Sequence, residues 1–389
     1  MAQLRRRKTT DTTDAVEQIV KHTKKKEPKD ESIWIDPLRL IPSGSTPLNC
    51  ALSDDYQGGY LMGTIVNTIG DSGTGKTLLA LNNVAEMTLY KRFNDYRFIF
   101  DDTEAALANN ISYMFGDNAA NRLEGPNGKL LKESDEPSSS NTIQDLYVNL
   151  LTAIKKGQPF IYILDSLDAL TSREEQLRAA KMLTSKKKEE KEEEEVEEGG
   201  KKPKKKEPGS FKMEKAKMVS EILRVITREI KNRKAFVNII SQTRDNIGWG
   251  FSDTTRSGGR ALKFYCCHEM WISATKPIEK LKEKIGSNSK IIISKNKLTF
   301  KKRTIEVPIY DNFGIDDVGS CIDYLVAQNL WKKDKNTIKA EHFDWEGTRD
   351  NIIKRVERSE QENELQKLVG STWTNKEERL KLDRKRRYE

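Results

Sequence analysis

The residues with the most readable chemistry are Gly70-Asp71-Ser72-Gly73-Thr74-Gly75-Lys76-Thr77. Their spacing matches G-x-x-x-x-G-K-[ST], a loop whose glycines let successive backbone N–H groups point at phosphate oxygens. A helix starting at the end of the loop would add its positive terminus. Lys76 would reach the β and γ phosphates of a nucleotide, and the Thr77 hydroxyl would face Mg²⁺. Asp165 ends the apolar run 161–164. A carboxylate at the tip of a buried strand beside such a loop is where a Mg²⁺ shell needs charge. Ser166 is placed to orient it, and Asp168 reads as a helix cap rather than a ligand. Glu104 lies just past a third apolar strand and can align a water for attack on the γ phosphate. The plainer reading of Glu104 is a solvated loop carboxylate.

These groups need a scaffold that brings strand ends to one edge. Apolar runs at 64–69, 97–101, 160–165, 235–241 and 268–274 read as strands. They are separated by helical periods at 75–90, 142–154 and 213–231. Unbroken apolar strands between helices predict an α/β fold with a mainly parallel sheet covered by helices. Ligands of such sheets sit in the crevice at the carboxyl ends of the strands. Segments 289–300 and 303–310 are expected to add a hairpin at one edge.

The chain has 389 residues, 35 % apolar and 33 % charged, with a formal net charge of +9. That is polar for a globular protein, so part of the length is expected to lie outside the core. The positive balance suits a polyanion partner. The four cysteines, Cys50, Cys266, Cys267 and Cys321, form no C-x-x-C pair, and the three histidines are scattered. A zinc site is therefore not expected, and buried thiols in a reducing cytosol are. Without a run of ~18 apolar residues or a leader pattern, the sequence predicts a soluble cytoplasmic protein with no membrane partner.

Three parts are expected. Residues 1–37 hold a basic arm, a short helix at 14–20 (Val16, Ile19 and Val20 forming its apolar face) and a linker. So short a helix must dock on another surface. Residues 38–314 form the core, interrupted by a surface loop at 116–141 and a charged insert at 186–207 with nine Lys, nine Glu and one apolar residue. The insert is expected to be disordered or a mobile hairpin. Residues 315–389 form a small C-terminal domain with helical periods in "SCIDYLVAQNLW" and "GTRDNIIKRVE", then a basic tail.

Six pieces occur in order: "IPSGSTPLNCAL", "GDSGTGKT", "FIFDDTEAAL", "YILDSLDAL", "IISQTRDNIGWGFSDTTRSGGRALKFY" and "IIISKNKL". Together they resemble the RecA family of bacterial and phage recombinases, over about residues 14–115, 142–185 and 212–355. The resemblance implies a RecA-like P-loop core with a short N-terminal oligomerisation helix, and DNA-dependent ATP hydrolysis with ATP and Mg²⁺ as cofactors. It makes Glu104 the water-activating residue and Gln242 the γ-phosphate sensor. Residues 244–259 become a mobile DNA-binding loop. There Arg244, Arg256 and Arg260 can meet phosphates, Trp249 and Phe251 can stack on bases, and Gly248, Gly250, Gly258 and Gly259 permit movement. An ordinary partner contact is the alternative for such a loop. Lys295 and Lys297 take the place of a lysine pair that enters the neighbouring subunit's ATP site. "ALKF", 261–264, lies on the same interface. The implied partners are single- and double-stranded DNA, further copies of the chain in a helical filament, and loader or mediator proteins.

Three departures stand out. The insert occupies the place of the first DNA-binding loop. Where the family packs an aromatic ring on adenine, this chain reads "ALANNISY", with Tyr113 displaced. The tail is basic where the family's is often acidic, and the Glu-rich part of the insert could restrain DNA capture instead. Two other functions use the same core: a ring-forming helicase or motor, and a recombination mediator that does not exchange strands.

Overall fold

The computed structural model describes residues 36–105, 111–133, 138–192, 209–245, 254–256, 259–384 and 387. The expected N-terminal arm and helix at 14–20, the insert from 193 onward, and Trp249, Phe251 and Gly258 lie outside these residues.

Two short strands, β1 (Leu40–Ile41) and β2 (Tyr60–Leu61), pair across α1 (Thr46–Ser53). The phosphate-loop motif follows β3 (Thr64–Gly70) and leads into α2 (Lys76–Met87). Next come β4 (Arg97–Asp102), α3 (Ile111–Ala120), β5 (Leu123–Glu124), α4 (Ile143–Lys155), β6 (Phe160–Asp165), α5 (Arg173–Glu192) and α6 (Gly209–Asn232). Then follow β7 (Phe236–Asp245), β8 (Thr254–Arg256), α7 (Gly259–Tyr265), β9 (His268–Lys280), β10 (Glu283–Asn296), β11 (Arg303–Tyr310) and β12 (Gly314–Ile315). The chain ends in α8 (Asp317–Ala327), a small sheet of β13 (Lys332–Asp334), β14 (Thr337–Ala340) and β15 (Trp345–Thr348), α9 (Arg349–Arg358) and α10 (Glu362–Arg379).

The central sheet runs β12-β11-β10-β9-β3-β7-β6-β4-β5, with β8 pairing β7. The pairings from β9 through β5 are parallel, and those from β9 to β12 antiparallel. All six residues of β6 are buried, so helices and loops cover both its faces, as its unbroken apolar sequence requires. The fold is thus α/β around a mainly parallel sheet, as the strand and helix periods predict.

The helices follow from local chemistry. In α4 the Thr142 hydroxyl accepts from the Asp145 N–H, and the Asp145 carboxylate accepts from the Thr142 N–H, a reciprocal cap. Its buried face carries Ile143, Leu146, Leu150 and Ile154. In α6 the buried residues Val219, Leu223, Ile226 and Ile230 recur at helical spacing. Helix α1 starts at Thr46-Pro47, and the Asp317 carboxylate accepts from the Thr46 N–H at 2.6 Å. Trp331, Ile352, Leu365, Val369 and Trp373 join the same apolar cluster as Leu48, Ala51 and Leu325.

Several expectations need correction. Residues 186–192 of the charged insert are helical, as the end of α5, and not disordered. The stretch 116–141 is not simply a loop: it holds the end of α3, kinked at Gly116, and the edge strand β5, with Leu123 buried. The expected edge hairpin is β10 paired with β11, with β10 beginning at 283 rather than 289, and a further hairpin joins β9 to β10. β9 and β10 run on as a polar ribbon that turns at Leu281 and Lys282, both at positive φ. Helix α10 is not among the expected elements: its residues 362–375 follow the last helical period read in the sequence, and only 376–379 belong to the basic tail.

Candidate nucleotide site

The phosphate loop stands where β3 passes into α2. Gly75, the N-cap residue, has φ +91°. A Cβ there would lie 2.7 Å from Ile309 Cδ1. Gly73 has φ +72° with no atom within 4 Å of where its Cβ would be, so the loop opens outward as a cradle. Both positions favour glycine, Gly75 for conformation and contact and Gly73 for conformation alone. The loop is braced from within by Thr74 Oγ1, which donates to the Asp71 carbonyl at 2.8 Å. Ser289 of β10 braces it from outside, donating to the Thr74 carbonyl at 3.0 Å.

Lys76 is 8 % exposed and donates to the Asp71 carbonyl at 2.6 Å. Burial lowers its pKa, and the carboxylates of Asp165 and Glu104 oppose that shift. Its ammonium therefore lies inside the loop, where bound phosphate would supply the missing negative charge. Thr77 Oγ1 donates to Asp165 Oδ2 at 2.5 Å. Burial pushes Asp165 up to about 6; Thr77 works against this, and Glu104 and Asp102 add to it. A buried carboxylate beside a hydroxyl and further carboxylates fits a hard divalent cation such as Mg²⁺, which would favour the ionised form.

Glu104 follows β4, and its N–H lies 3.3 Å from the Asp165 carbonyl. Its Oε1 accepts from Gln242 Nε2 at 2.8 Å and from the Ser166 hydroxyl. Ser166 therefore orients Glu104 and not Asp165. The Asp165–Ser166 peptide is cis. Asp168 is not a helix cap: its Oδ2 accepts from the Gln242 N–H at 2.7 Å. The cap of α5 is Ser172, in a reciprocal pair with Glu175. A cavity of about 240 Å³ gathers Ser72, Gly73, Gly75, Lys76, Thr77, Glu104, Asp165 and Gln242. Ser287, Ile309 and Asp311 complete its wall. Nothing local in the sequence marks these three. Ile309 lies on β11, and Asp311 is the first residue beyond its end. A larger groove, about 990 Å³ between β11, α8 and α10, contains none of the phosphate-loop residues. Tyr113, on α3, does not line the nucleotide cavity.

Lys295 and Lys297 are not in the cavity of their own chain. Lys297 Nζ donates to the Phe264 carbonyl at 2.7 Å, and Lys295 Nζ to the carbonyls of Lys263 and Phe264. These are last-turn carbonyls of α7 that no helical N–H can reach. The backbone of Arg244 and Arg256 lies in the β7–β8 ribbon, where Thr243 is opposite Arg256 and Arg244 opposite Thr255. This ribbon begins one residue after Gln242 and flanks residues 246–253. Gly259 and Arg260 open α7 and are exposed.

The RecA N-terminal domain family matches residues 206–316. A protein of Caulobacter sp. (strain K31) named "Protein RecA" is 30 % identical over 299 residues, covering 76 % of this chain and 70 % of the relative. Proteins of the same name from Caulobacter vibrioides (strain NA1000 / CB15N) and Enterococcus faecalis (strain ATCC 700802 / V583) are 29 % and 28 % identical, again over 76 % of the chain. They cover 70 % and 72 % of those relatives. With its parallel sheet, phosphate loop and strand-end carboxylates, the chain belongs to the RecA family.

Proposed function

We propose that the chain is an ATP-dependent DNA recombinase. It forms filaments on single-stranded DNA, pairs them with homologous duplex, exchanges strands and hydrolyses ATP in response to DNA. The observation that carries this reading is the position of Gln242. Its side chain holds Glu104, and the next residue starts the ribbon that flanks the glycine- and aromatic-rich loop. A change at the γ phosphate and a change in that loop would therefore act on the same short strand.

In this mechanism the loop amides of residues 71–77 bind the phosphates, and Lys76 exchanges the Asp71 carbonyl for phosphate oxygen. Thr77 and Asp165 would hold Mg²⁺, which supplies positive charge to the β and γ oxygens. Glu104, oriented by Ser166 and Gln242, aligns the attacking water. Lys295 and Lys297 are offered to the neighbouring subunit, making hydrolysis depend on assembly. A head-to-tail contact that does not close gives a helical filament. Residues 1–37 would dock the neighbour, 38–314 would form the ATPase, and 315–389 a small C-terminal domain.

The test is ATP hydrolysis with and without single-stranded DNA. Wild type should be strongly stimulated, and Lys76→Ala and Glu104→Ala should each lose about a hundredfold or more. Electron microscopy should show helical filaments, and an assay with homologous duplex should show exchange. Hydrolysis without DNA stimulation would favour the mediator reading, and closed rings the motor reading.

A further inference from the structure

We propose that Asp168 is a positioning residue for ATP hydrolysis, holding Gln242 against Glu104 and tying both to the second turn of α6. The inference rests on the ATPase reading above and adds a residue to it.

β7 lies between β3 and β6 and is parallel to both. On the β3 side the pairing continues to Gly70 opposite Gln242. On the β6 side it stops at Leu164 opposite Ile239, because β6 ends at Asp165 and the chain turns away. Backbone groups two residues apart on a strand face the same neighbour. The Ile240 carbonyl accepts from the Leu167 N–H at 2.9 Å, so Gln242 presents its N–H to the same side, where β6 has ended. Asp168 supplies the missing acceptor: its Oδ2 takes that N–H at 2.7 Å. A charge-assisted bond of this kind is stronger than the ladder bond it replaces. It fixes the Gln242 backbone at the residue whose side chain donates to Glu104 at 2.8 Å. Thr103, Glu104, Asp168, Gln242 and Thr243 line one cleft of about 460 Å³.

The turn carrying Asp168 is itself held. Lys215, in α6, donates to the Leu170 carbonyl at 2.6 Å and reaches the Asp168 carbonyl at 3.4 Å. Helix α6 follows the charged insert directly. A displacement of its second turn passes through Lys215 to the 168–170 turn, through Asp168 to Gln242, and so to Glu104.

The test uses the full-length chain in steady-state ATP hydrolysis with saturating single-stranded DNA. Asp168→Ala should lower kcat about tenfold while KM for ATP stays within about twofold, since the phosphate-binding groups are untouched. Asp168→Asn, whose amide oxygen can still accept from the Gln242 N–H, should recover kcat to within about threefold of wild type. In a Glu104→Ala background the Asp168→Ala change should cost little more, because it acts through Glu104. Wild-type kcat in Asp168→Ala would overturn the proposal. A loss that Asn does not recover, or one that adds fully to Glu104→Ala, would overturn it as well. If wild type shows no DNA-stimulated hydrolysis, or Glu104→Ala matches wild type, the ATPase reading fails and takes this inference with it. If those controls behave and Asp168→Ala is unchanged, this inference fails alone.

Discussion

At the scale of single residues, two of the buried groups with large shifts, Asp165 and His268, serve different ends. Asp165 is raised to about 6 in a place where a cation would reverse the effect. His268 is wholly buried at the start of β9, edge-on to Tyr60, and burial lowers it to about 4. A histidine depressed on folding adds stability that is present above its ordinary pKa of about 6.5 and is lost as pH falls through the folded value. Between pH 6.5 and 4 this one group should cost roughly 3 kcal/mol of folding stability. His268→Gln should flatten that limb in urea unfolding measured at several pH values, and an unchanged slope would count against the assignment. Legibility at this scale divides by distance in sequence. The phosphate loop is contiguous, so its placement could be read directly. Glu104 and Gln242 are 138 residues apart, and only the resemblance brought them together. Asp168 escaped because a carboxylate after a strand looks like a helix cap until the end of β6 relative to β7 is known.

At the scale of elements, the C-terminal helix is pinned by a compact charge cluster. The Arg303 guanidinium on β11 binds Asp54 at 2.5 Å and Glu377 of α10 at 2.7 Å. It also donates to the Ala51 carbonyl at 3.0 Å, within the last turn of α1. Trp373 lies under it at 5.0 Å and donates to Asp54. The Arg303 side chain is only 12 % exposed, and its loss would leave Asp54 and Glu377 to the more exposed Lys301, at 3.2 and 2.5 Å. Arg303→Ala should cost about 2–4 kcal/mol in denaturant unfolding, whereas an exposed lysine–carboxylate pair is worth at most about 1. A loss below about 1 kcal/mol would mean that Arg303 does not pin α10. Elements with a buried apolar run, such as β3 and β6, were plain in the sequence. The outer parts of β9 and β10 were not, because their lysines and glutamates face solvent and only cross-strand pairing holds them. Helix α10 hid for another reason: Leu365, Val369 and Trp373 are diluted by charge, and their stripe has meaning only once α1 and α8 lie beneath it.

At the scale of the whole molecule, the charge of the insert matters by position rather than by sum. Residues 186–207 hold nine Lys and nine Glu, so deleting them leaves the net charge at +9. If their glutamates restrain DNA capture, deletion should tighten binding to DNA about three- to tenfold at low salt, with the gain shrinking as salt rises. Fluorescence anisotropy across a salt series would measure this, and superimposable curves would remove the insert from any restraining role.

The lysines that close α7 carry one more consequence. In an isolated chain, Lys295 and Lys297 already spend donors on the carbonyls of Lys263 and Phe264. If the same ammonium groups serve a neighbour's phosphates, joining two subunits is an exchange of partners rather than a net gain. The net gain from the first contacts would then be reduced, and growth would wait for a rare nucleus. Assembly would show a concentration-dependent lag that preformed seeds abolish.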